Sequence, residues 1–154
     1  CEMAAYEKEK GRSLYNKMID LYVQYGCYKE HLISITKKGM DGQQQIAAMM
    51  ESYRNNPLKC INSSPVIKLL DYELRNGTNP QTGEEWAIEL PKSNVLQFIL
   101  EDGSSISARP SGTEPKIKFY FSINEKLNSP AEFDAVNKKL DEKIKAIIAD
   151  MKLK

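Results

Sequence analysis

Residues 95–123 read VLQFILEDGSSISARPSGTEPKIKFYFSI, and this stretch decides the fold. Two apolar runs flank Asp102-Gly103, a dipeptide that is favoured in the tight turn of a β-hairpin. A third run alternates apolar and polar residues, which places its apolar side chains on one face of a strand and its polar side chains on the other. The three predicted strands cover residues 95–100, 105–108 and 116–123. The stretch therefore predicts antiparallel strands with one buried face and one solvated face.

Two helical segments precede this stretch. Residues 2–26 carry apolar residues at helical spacing, with a break before a cap at Ser13 and an end at Gly26. A second helix is predicted after Asp41, which forms a capping-box pattern with Gln44. The predicted buried faces comprise Leu14, Met18, Leu21, Tyr22 and Tyr25 in the first segment, and Ile46, Met49, Met50 and Tyr53 in the second.

A third helical segment follows the strands. Ser129 and Glu132 have the spacing of a capping box, and Pro130 stands at the first helical position, where proline is favoured. An apolar stripe follows at Phe133, Val136, Leu140, Ile144, Ile147, Ile148 and Met151. This pattern predicts an amphipathic helix that packs on the sheet.

The remaining segments complete the predicted order of elements. Residues 27–40 read as a connector with a short strand at 32–35, residues 66–74 as another strand, and residues 75–93 as a long exposed loop. We expect an α+β fold: a mainly antiparallel sheet of about four to five strands with helices packed on one face, preceded by a helical segment.

Composition excludes several classes of function. The chain has 154 residues, of which 22 are basic and 21 acidic, so that its net charge of +1 attracts neither nucleic acid nor a membrane surface. Its three cysteines are widely spaced and its single histidine is His31, which leaves little material for a disulfide framework or a metal site. We expect a cytoplasmic protein with reduced thiols, no metal held by this chain, and no nucleic-acid or membrane partner.

The loop between the last two strands has the composition of an anion site. It reads RPSGTEP at residues 109–115. Arg109 can offer a fixed fork of donors to a phosphate group. Ser111 and Thr113 add hydroxyl groups, and Gly112 leaves backbone N–H groups uncovered by any side chain. These residue types together favour a phosphate-binding site.

A surface turn is the alternative interpretation, because Pro110, Gly112 and Pro115 are residues that turns commonly contain. The two prolines also stiffen the loop, which reduces the entropy lost when a ligand orders it. Three basic residues against Glu114 leave a charge of +2 between residues 109 and 118, and a phosphate dianion matches that charge.

The same residues resemble a known family. RPSGTEPK at 109–116 and IKFYF at 117–121 resemble the C-terminal phosphate-binding loop and following strand of the α-D-phosphohexomutases, the family of phosphoglucomutase and phosphomannomutase. CEMAAY at 1–6 and LPKSNVL at 90–96 are similar to the part of that family that links domain 3 to domain 4. The resemblance covers essentially the whole chain.

The resemblance implies a division into domains. Residues 1–30 would be a helical segment from the end of domain 3, and residues 31–154 the C-terminal substrate-phosphate-binding domain, with the TATA-box-binding-protein-like fold of domain 4. The chain begins with Cys1 rather than methionine, which suggests a piece of a larger protein. We expect it to be inactive as a phosphohexomutase when isolated.

The resemblance also implies site residues and partners. The family's phosphate-binding residues map onto Arg109, Ser111, Gly112 and Thr113, and a basic residue of the following strand maps onto Lys118. The parent enzyme would be an isomerase, an intramolecular phosphotransferase that interconverts sugar 1-phosphates and 6-phosphates, and this domain would clamp the phosphate that is not transferred. The partners would be a hexose phosphate and the missing N-terminal domains of the same chain. No cofactor is expected in this fragment, whereas Mg²⁺ is expected in the missing part.

A second hypothesis comes from a different class of protein. A sheet with one open face could serve a stand-alone module that binds nucleic acid or protein. The exposed face of the last strand offers only Lys116, Lys118 and Tyr120 for such a role. The sequence therefore favours the phosphate-binding domain.

Overall fold

The computed structural model describes residues 1–37, 39 and 41–153. Its α-helices are α1 (Glu2–Glu9), α2 (Leu14–Tyr25), α3 (Gly42–Asn55) and α4 (Phe133–Asp150), and a 3₁₀ turn covers Pro130–Glu132. Its strands are β1 (Cys27–Thr36), β2 (Cys60–Ile61), β3 (Ser64–Asp71), β4 (Asn76–Thr78), β5 (Glu85–Ala87), β6 (Leu96–Leu100), β7 (Ser105–Pro110) and β8 (Lys116–Glu125). The α+β class is as predicted.

One antiparallel sheet joins these strands. Its order is β1-β8-β7-β6-β3-β4-β5, and β2 pairs with β3 beside this path. The five strands of five or more residues match the predicted number, and the other three are two or three residues long. Strands β4 and β5 lie inside the predicted loop 75–93, so that prediction was wrong in part. The indole of Trp86 packs across Gly77 there, and this cross-strand contact stabilises a hairpin that the polar composition concealed.

Strand β8 confirms the alternation on which the fold prediction rests. Its four apolar residues, Ile117, Phe119, Phe121 and Ile123, are all 0% exposed. The residues between them lie on the opposite face, where Tyr120 is 38% exposed. The strand is therefore half core and half surface, as a period of two requires.

Helices α3 and α4 cover the apolar face of the sheet. Tyr53 of α3 places its ring edge-on against Phe98 and Phe119, with centroid distances of 5.6 and 6.5 Å. The predicted stripe of α4 is buried or half-buried along its whole length. In α2 the prediction was wrong in part. Leu14, Leu21 and Tyr25 of the predicted face are 50%, 36% and 69% exposed, whereas Ile19, which the predicted face omitted, is buried.

The predicted helix caps had mixed outcomes. Ser13 caps α2 through a capping box with Asn16, in which each side chain accepts a hydrogen bond from the other residue's backbone N–H. Asp41 makes no such bond, because its backbone is already helical (φ −82°, ψ −5°) and an N-cap requires an extended residue. Ser129 has an extended backbone but also makes no cap hydrogen bond, since the chain first forms the 3₁₀ turn. The Glu132 carboxylate instead accepts a hydrogen bond from the Asn128 side chain at 3.4 Å.

The segment predicted as a connector is mostly a strand of the sheet. Strand β1 pairs with β8 over ten residues, from Cys27 opposite Glu125 to Thr36 opposite Lys116. Residues 27–36 therefore belong to the sheet, and Met40, the predicted end of the connector, lies outside the described residues. The division into domains at residue 30 stays a prediction. Among the described helices, none has the length and apolarity needed to cross a lipid bilayer.

The turn between β6 and β7 is held by a partly buried carboxylate. Gly103 adopts a left-handed conformation (φ +84°), as the predicted turn requires. Asp102 accepts a hydrogen bond from the Ser104 backbone at 2.8 Å and forms an ion pair with Lys143 of α4 at 2.8 Å. Partial burial raises the pKa of Asp102, but the hydrogen bonds from Lys143 and Ser104 lower it by more, so that its pKa lies below the usual value.

This pKa shift predicts a pH-dependent contribution to stability. A carboxyl group with a lowered pKa in the folded state stabilises the fold above its unfolded pKa of about 4, and the contribution is lost as the pH falls through the folded pKa. We expect Asp102→Asn to be less stable than the wild type at pH 7, with a difference that shrinks below about pH 4. Urea unfolding across this pH range measures the difference.

The matched control is Glu101→Gln, which neutralises the neighbouring exposed carboxylate outside the Lys143 ion pair. It should leave stability nearly unchanged at every pH. If the difference in free energy of unfolding between wild type and Asp102→Asn stays constant from pH 7 to pH 2, the lowered pKa of Asp102 is contradicted.

Candidate phosphate-binding site

Pairing of β7 with β8 brings the predicted basic residues together. Arg109 on β7 lies directly opposite Lys118 on β8. Because side chains on one face recur every second residue, Lys116 and Tyr120 point to the same side as Lys118. This side is the open face of the sheet. Three cationic side chains therefore converge where β7 ends and β8 begins.

The loop between these strands is ordered by local hydrogen bonds. The Ser111 N–H donates to the Lys116 carbonyl at 2.7 Å, and the Lys116 N–H donates to the Glu114 carbonyl at 2.7 Å. The Ser111 Oγ accepts from the Thr113 and Glu114 N–H groups at 3.4 and 3.3 Å. Since the oxygen of Ser111 serves as the acceptor, its hydroxyl proton stays available for a ligand. Within the described part of the chain, the Gly112 N–H has no hydrogen-bond partner.

Contacts with β1 and α3 hold the loop in place. The Lys37 N–H donates to the Pro115 carbonyl at 2.9 Å, which extends the β1–β8 ladder to the loop. Gly42, at the start of α3, is buried so closely against the loop that a Cβ atom there would lie 2.6 Å from the Lys37 oxygen and 2.9 Å from the Pro115 Cβ. Sequence reasoning missed these supports because they come from residues distant in the chain.

The loop and the two strands enclose an open cavity of about 220 Å³. Residues 109–112, 114, 116, 118 and 120 line it. Within the described residues, the guanidinium of Arg109 and the N–H of Gly112 have no hydrogen-bond acceptor, and both lie at this small cavity together with the ammonium groups of Lys116 and Lys118. Such a cavity suits a compact anion.

The cations of this cavity differ from the basic residues that the fold holds in ion pairs. Lys29 and Lys143 are held in ion pairs with Asp141 and Asp102 at 2.7 and 2.8 Å. Within residues 1–37, 39 and 41–153, neither Arg109 nor its lysine neighbours Lys116 and Lys118 have a carboxylate within 4.0 Å. Glu114 is the acidic residue of the lining. The local charge is therefore positive and available to a ligand.

The structure brings together most of the predicted site residues. Arg109, Ser111, Gly112 and Lys118 all line the cavity, whereas Thr113 is exposed beside it and does not. The predicted set omitted Lys116 and Tyr120, which also line the cavity. Pro110 and Glu114 complete the lining. Alternation along β8 could have identified the two omitted residues, because they flank Lys118 at a spacing of two.

The site does not fit a divalent cation. Its lining is mostly basic, and in the described part of the chain no group of three or more His, Cys, Asp and Glu side chains is placed to hold a metal ion.

Comparison with known proteins identifies the family of this chain. The family described as "Phosphoglucomutase/phosphomannomutase, C-terminal domain" matches residues 41–151. The chain belongs to this family. A phosphoglucomutase of Staphylococcus haemolyticus is 38% identical over 117 residues, which cover 76% of this chain and 21% of that protein. A phosphoglucomutase of Staphylococcus epidermidis is 34% identical over 141 residues, which cover 92% of this chain and 25% of that protein.

The family resemblance expected from the RPSGTEPK loop is confirmed by these matches. The chain spans about a fifth to a quarter of the length of these phosphoglucomutases. A solved structure of the Paramecium phosphoglucomutase parafusin in its open form aligns with a TM-score of 0.43 at 14% identity, over 88% of this chain and 24% of that chain.

The packing of Gly42 predicts a mutational effect on the loop at residues 111–115. We expect Gly42→Ala to destabilise the domain by about 1–3 kcal/mol, because its methyl group would clash with the Lys37 carbonyl group and with the ring of Pro115. Urea unfolding measures the loss, and amide chemical shifts of residues 111–116 report the movement of the loop.

Gly112→Ala is the matched control, because a Cβ atom at Gly112 would meet no other atom within 4 Å. Its free energy of unfolding should stay within about 0.5 kcal/mol of the wild type. Equal stability of the two variants would show that Gly42 does not hold the loop.

Proposed function

We propose that this domain holds the non-transferred phosphate of a sugar phosphate in a phosphoglucomutase or phosphomannomutase. The observation that supports this role most directly is the convergence of Arg109, Lys116 and Lys118, without carboxylate partners in the described residues, on the cavity at Gly112. The substrate class is a hexose phosphate.

The donor types suit a phosphate monoester. Arg109 can form two parallel hydrogen bonds to two phosphate oxygens, whereas Lys118 supplies a point charge that follows the anion. The Ser111 hydroxyl and the Gly112 N–H can bind the remaining oxygens. Each charge-assisted hydrogen bond contributes about 1.5–3 kcal/mol, so three or four of them can hold the anion without a metal ion.

The contribution of this domain to the reaction is positional. Phosphoryl transfer depends mainly on the orientation of the reacting groups and on neutralisation of charge. A clamp on one phosphate orients the other end of the sugar toward the reacting centre. In the parent enzyme, as the family implies, other domains would hold the phosphoserine that carries the transferred group and a Mg²⁺ ion that would neutralise its charge, and these domains are the partners of this one.

Two further parts of the proposal rest on the thiols and on the distribution of positive charge. Cys1, Cys27 and Cys60 are free thiols, which supports a cytoplasmic location. A nucleic-acid-binding module is not favoured, because the basic residues gather at one end of the open face instead of running along it.

Arg109→Ala tests the clamp in the parent enzyme. Loss of the guanidinium fork should raise KM and lower kcat, with a fall in kcat/KM of about 10- to 100-fold. The phosphoserine should still form, since its chemistry lies elsewhere. Steady-state kinetics and a phosphoserine assay on the same sample measure both effects.

Lys126→Ala is the matched charge-removing control, because Lys126 is exposed just after β8 and does not line the cavity. Its kcat/KM should equal that of the wild type. An unchanged kcat/KM in Arg109→Ala would refute the clamp.

The present chain by itself should have no mutase activity. It carries the proposed phosphate clamp but not the proposed phosphoserine, so no phosphoryl group can be transferred. A coupled assay with glucose 1-phosphate measures turnover, and sustained formation of glucose 6-phosphate by the purified chain would overturn this view.

A further inference from the structure

The cavity of about 220 Å³ is open to solvent, and all of its lining residues lie between Arg109 and Tyr120. If the phosphate fills this cavity, as proposed above, the sugar lies at its rim. Strand β1 pairs with β8 beside the cavity, although its own residues do not line it.

Two hydroxyl side chains of β1 stand next to the cavity. Ser34 is paired with Lys118, and Thr36 is paired with Lys116, so each points to the same open face as its lysine partner. Adjacent strands are about 4.7–4.9 Å apart, and Ser34 therefore lies about two strand spacings from Arg109. A group attached to a phosphate between Arg109 and Lys118 can reach β1.

These hydroxyl groups are exposed and available. In the part of the chain that the structure describes, neither Ser34 nor Thr36 makes a side-chain hydrogen bond. Ser122 on the same face differs, since its hydroxyl donates to Glu30 at 2.5 Å. The pair beside the cavity thus retains both its donors and its acceptors.

The next row of the same face is apolar. Leu32 and Tyr120 are cross-strand partners, and they are 49% and 38% exposed. A hexose has hydroxyl groups around its edge and C–H groups on its ring faces, so it can use both rows at once. An inorganic phosphate ion in the cavity has no C–H face to place against Leu32, and it does not extend to the hydroxyl groups outside the cavity.

We propose that Ser34 and Thr36 form a sugar-binding rim, which hydrogen-bonds the hydroxyl groups nearest to the clamped phosphate. This inference rests on the proposed function and adds the sugar-side contacts to it. The rim discriminates a sugar phosphate from inorganic phosphate, whereas Arg109 binds the phosphate group common to both.

The test compares two ligands in the full-length parent enzyme. The probes are glucose 1-phosphate as substrate and inorganic phosphate as a competitive inhibitor. For the double variant Ser34→Ala/Thr36→Val, kcat/KM for glucose 1-phosphate should fall about fivefold or more, because two hydrogen bonds are lost. The inhibition constant of inorganic phosphate should stay within about 1.5-fold of the wild-type value, because no contact with phosphate changes.

Two controls keep the result specific. Ser34→Thr/Thr36→Ser keeps both hydroxyl groups and should retain most of the wild-type kcat/KM. Ser105→Ala removes a hydroxyl group from the same face, opposite Ser122 and outside the cavity lining. It should change neither kcat/KM for glucose 1-phosphate nor the inhibition constant of inorganic phosphate. Thermal unfolding of each variant verifies that the fold is intact.

The outcomes separate this inference from the proposed function. The sugar-binding rim is overturned if the double variant uses glucose 1-phosphate with an unchanged kcat/KM. It is also overturned if the variant loses affinity for inorganic phosphate by the same factor as kcat/KM falls. Arg109→Ala should lower kcat/KM for glucose 1-phosphate and raise the inhibition constant of inorganic phosphate. If neither value changes in Arg109→Ala, the phosphate clamp itself is refuted, whatever the result for the double variant.

Discussion

Burial of one face of β8 is the constraint on which the rest of the structure depends. The strand is paired on both sides, with β1 and with β7, and its four apolar residues are removed from water beneath α3 and α4. Because its side chains alternate, burial of Phe119 and Phe121 forces Lys118 to the opposite face. A slip of one residue would bury the lysines and expose the core. The same apolar contacts that hold the sheet together therefore orient the basic residues of the site.

The electrostatic repulsion among the basic residues of the cavity is reduced by their position on the sheet. Arg109 and Lys118 are direct partners on the adjacent strands β7 and β8, so they repel each other when no anion is bound. They lie on the solvated face of the sheet, where water screens this repulsion. The strands fix where the side chains begin, and the loop is held by Ser111 and by the close packing of Pro115 on Gly42. A bound anion thus meets groups that are already in place, which lowers the entropy cost of binding.

Sequence patterns were sufficient for the features that depend on local periodicity. They predicted the hairpin at Gly103, the buried face of β8, the stripe of α4 and the loop that lines the cavity. They were insufficient where long-range pairing decides the structure. Strand β1 has the charged and polar residues of a connector, yet pairing with β8 extends it to ten residues. Likewise, the hairpin of β4 and β5 depends on a contact between Trp86 and Gly77 that no local pattern reveals.

The most direct test of the phosphate clamp is a crystal structure of the parent enzyme with a bound sugar phosphate. The account predicts that one phosphate group lies within hydrogen-bond distance of the Arg109 guanidinium and the Gly112 N–H, with the sugar extending toward β1. A structure in which the phosphate binds elsewhere, and in which Arg109 pairs with a carboxylate of the protein, would contradict it.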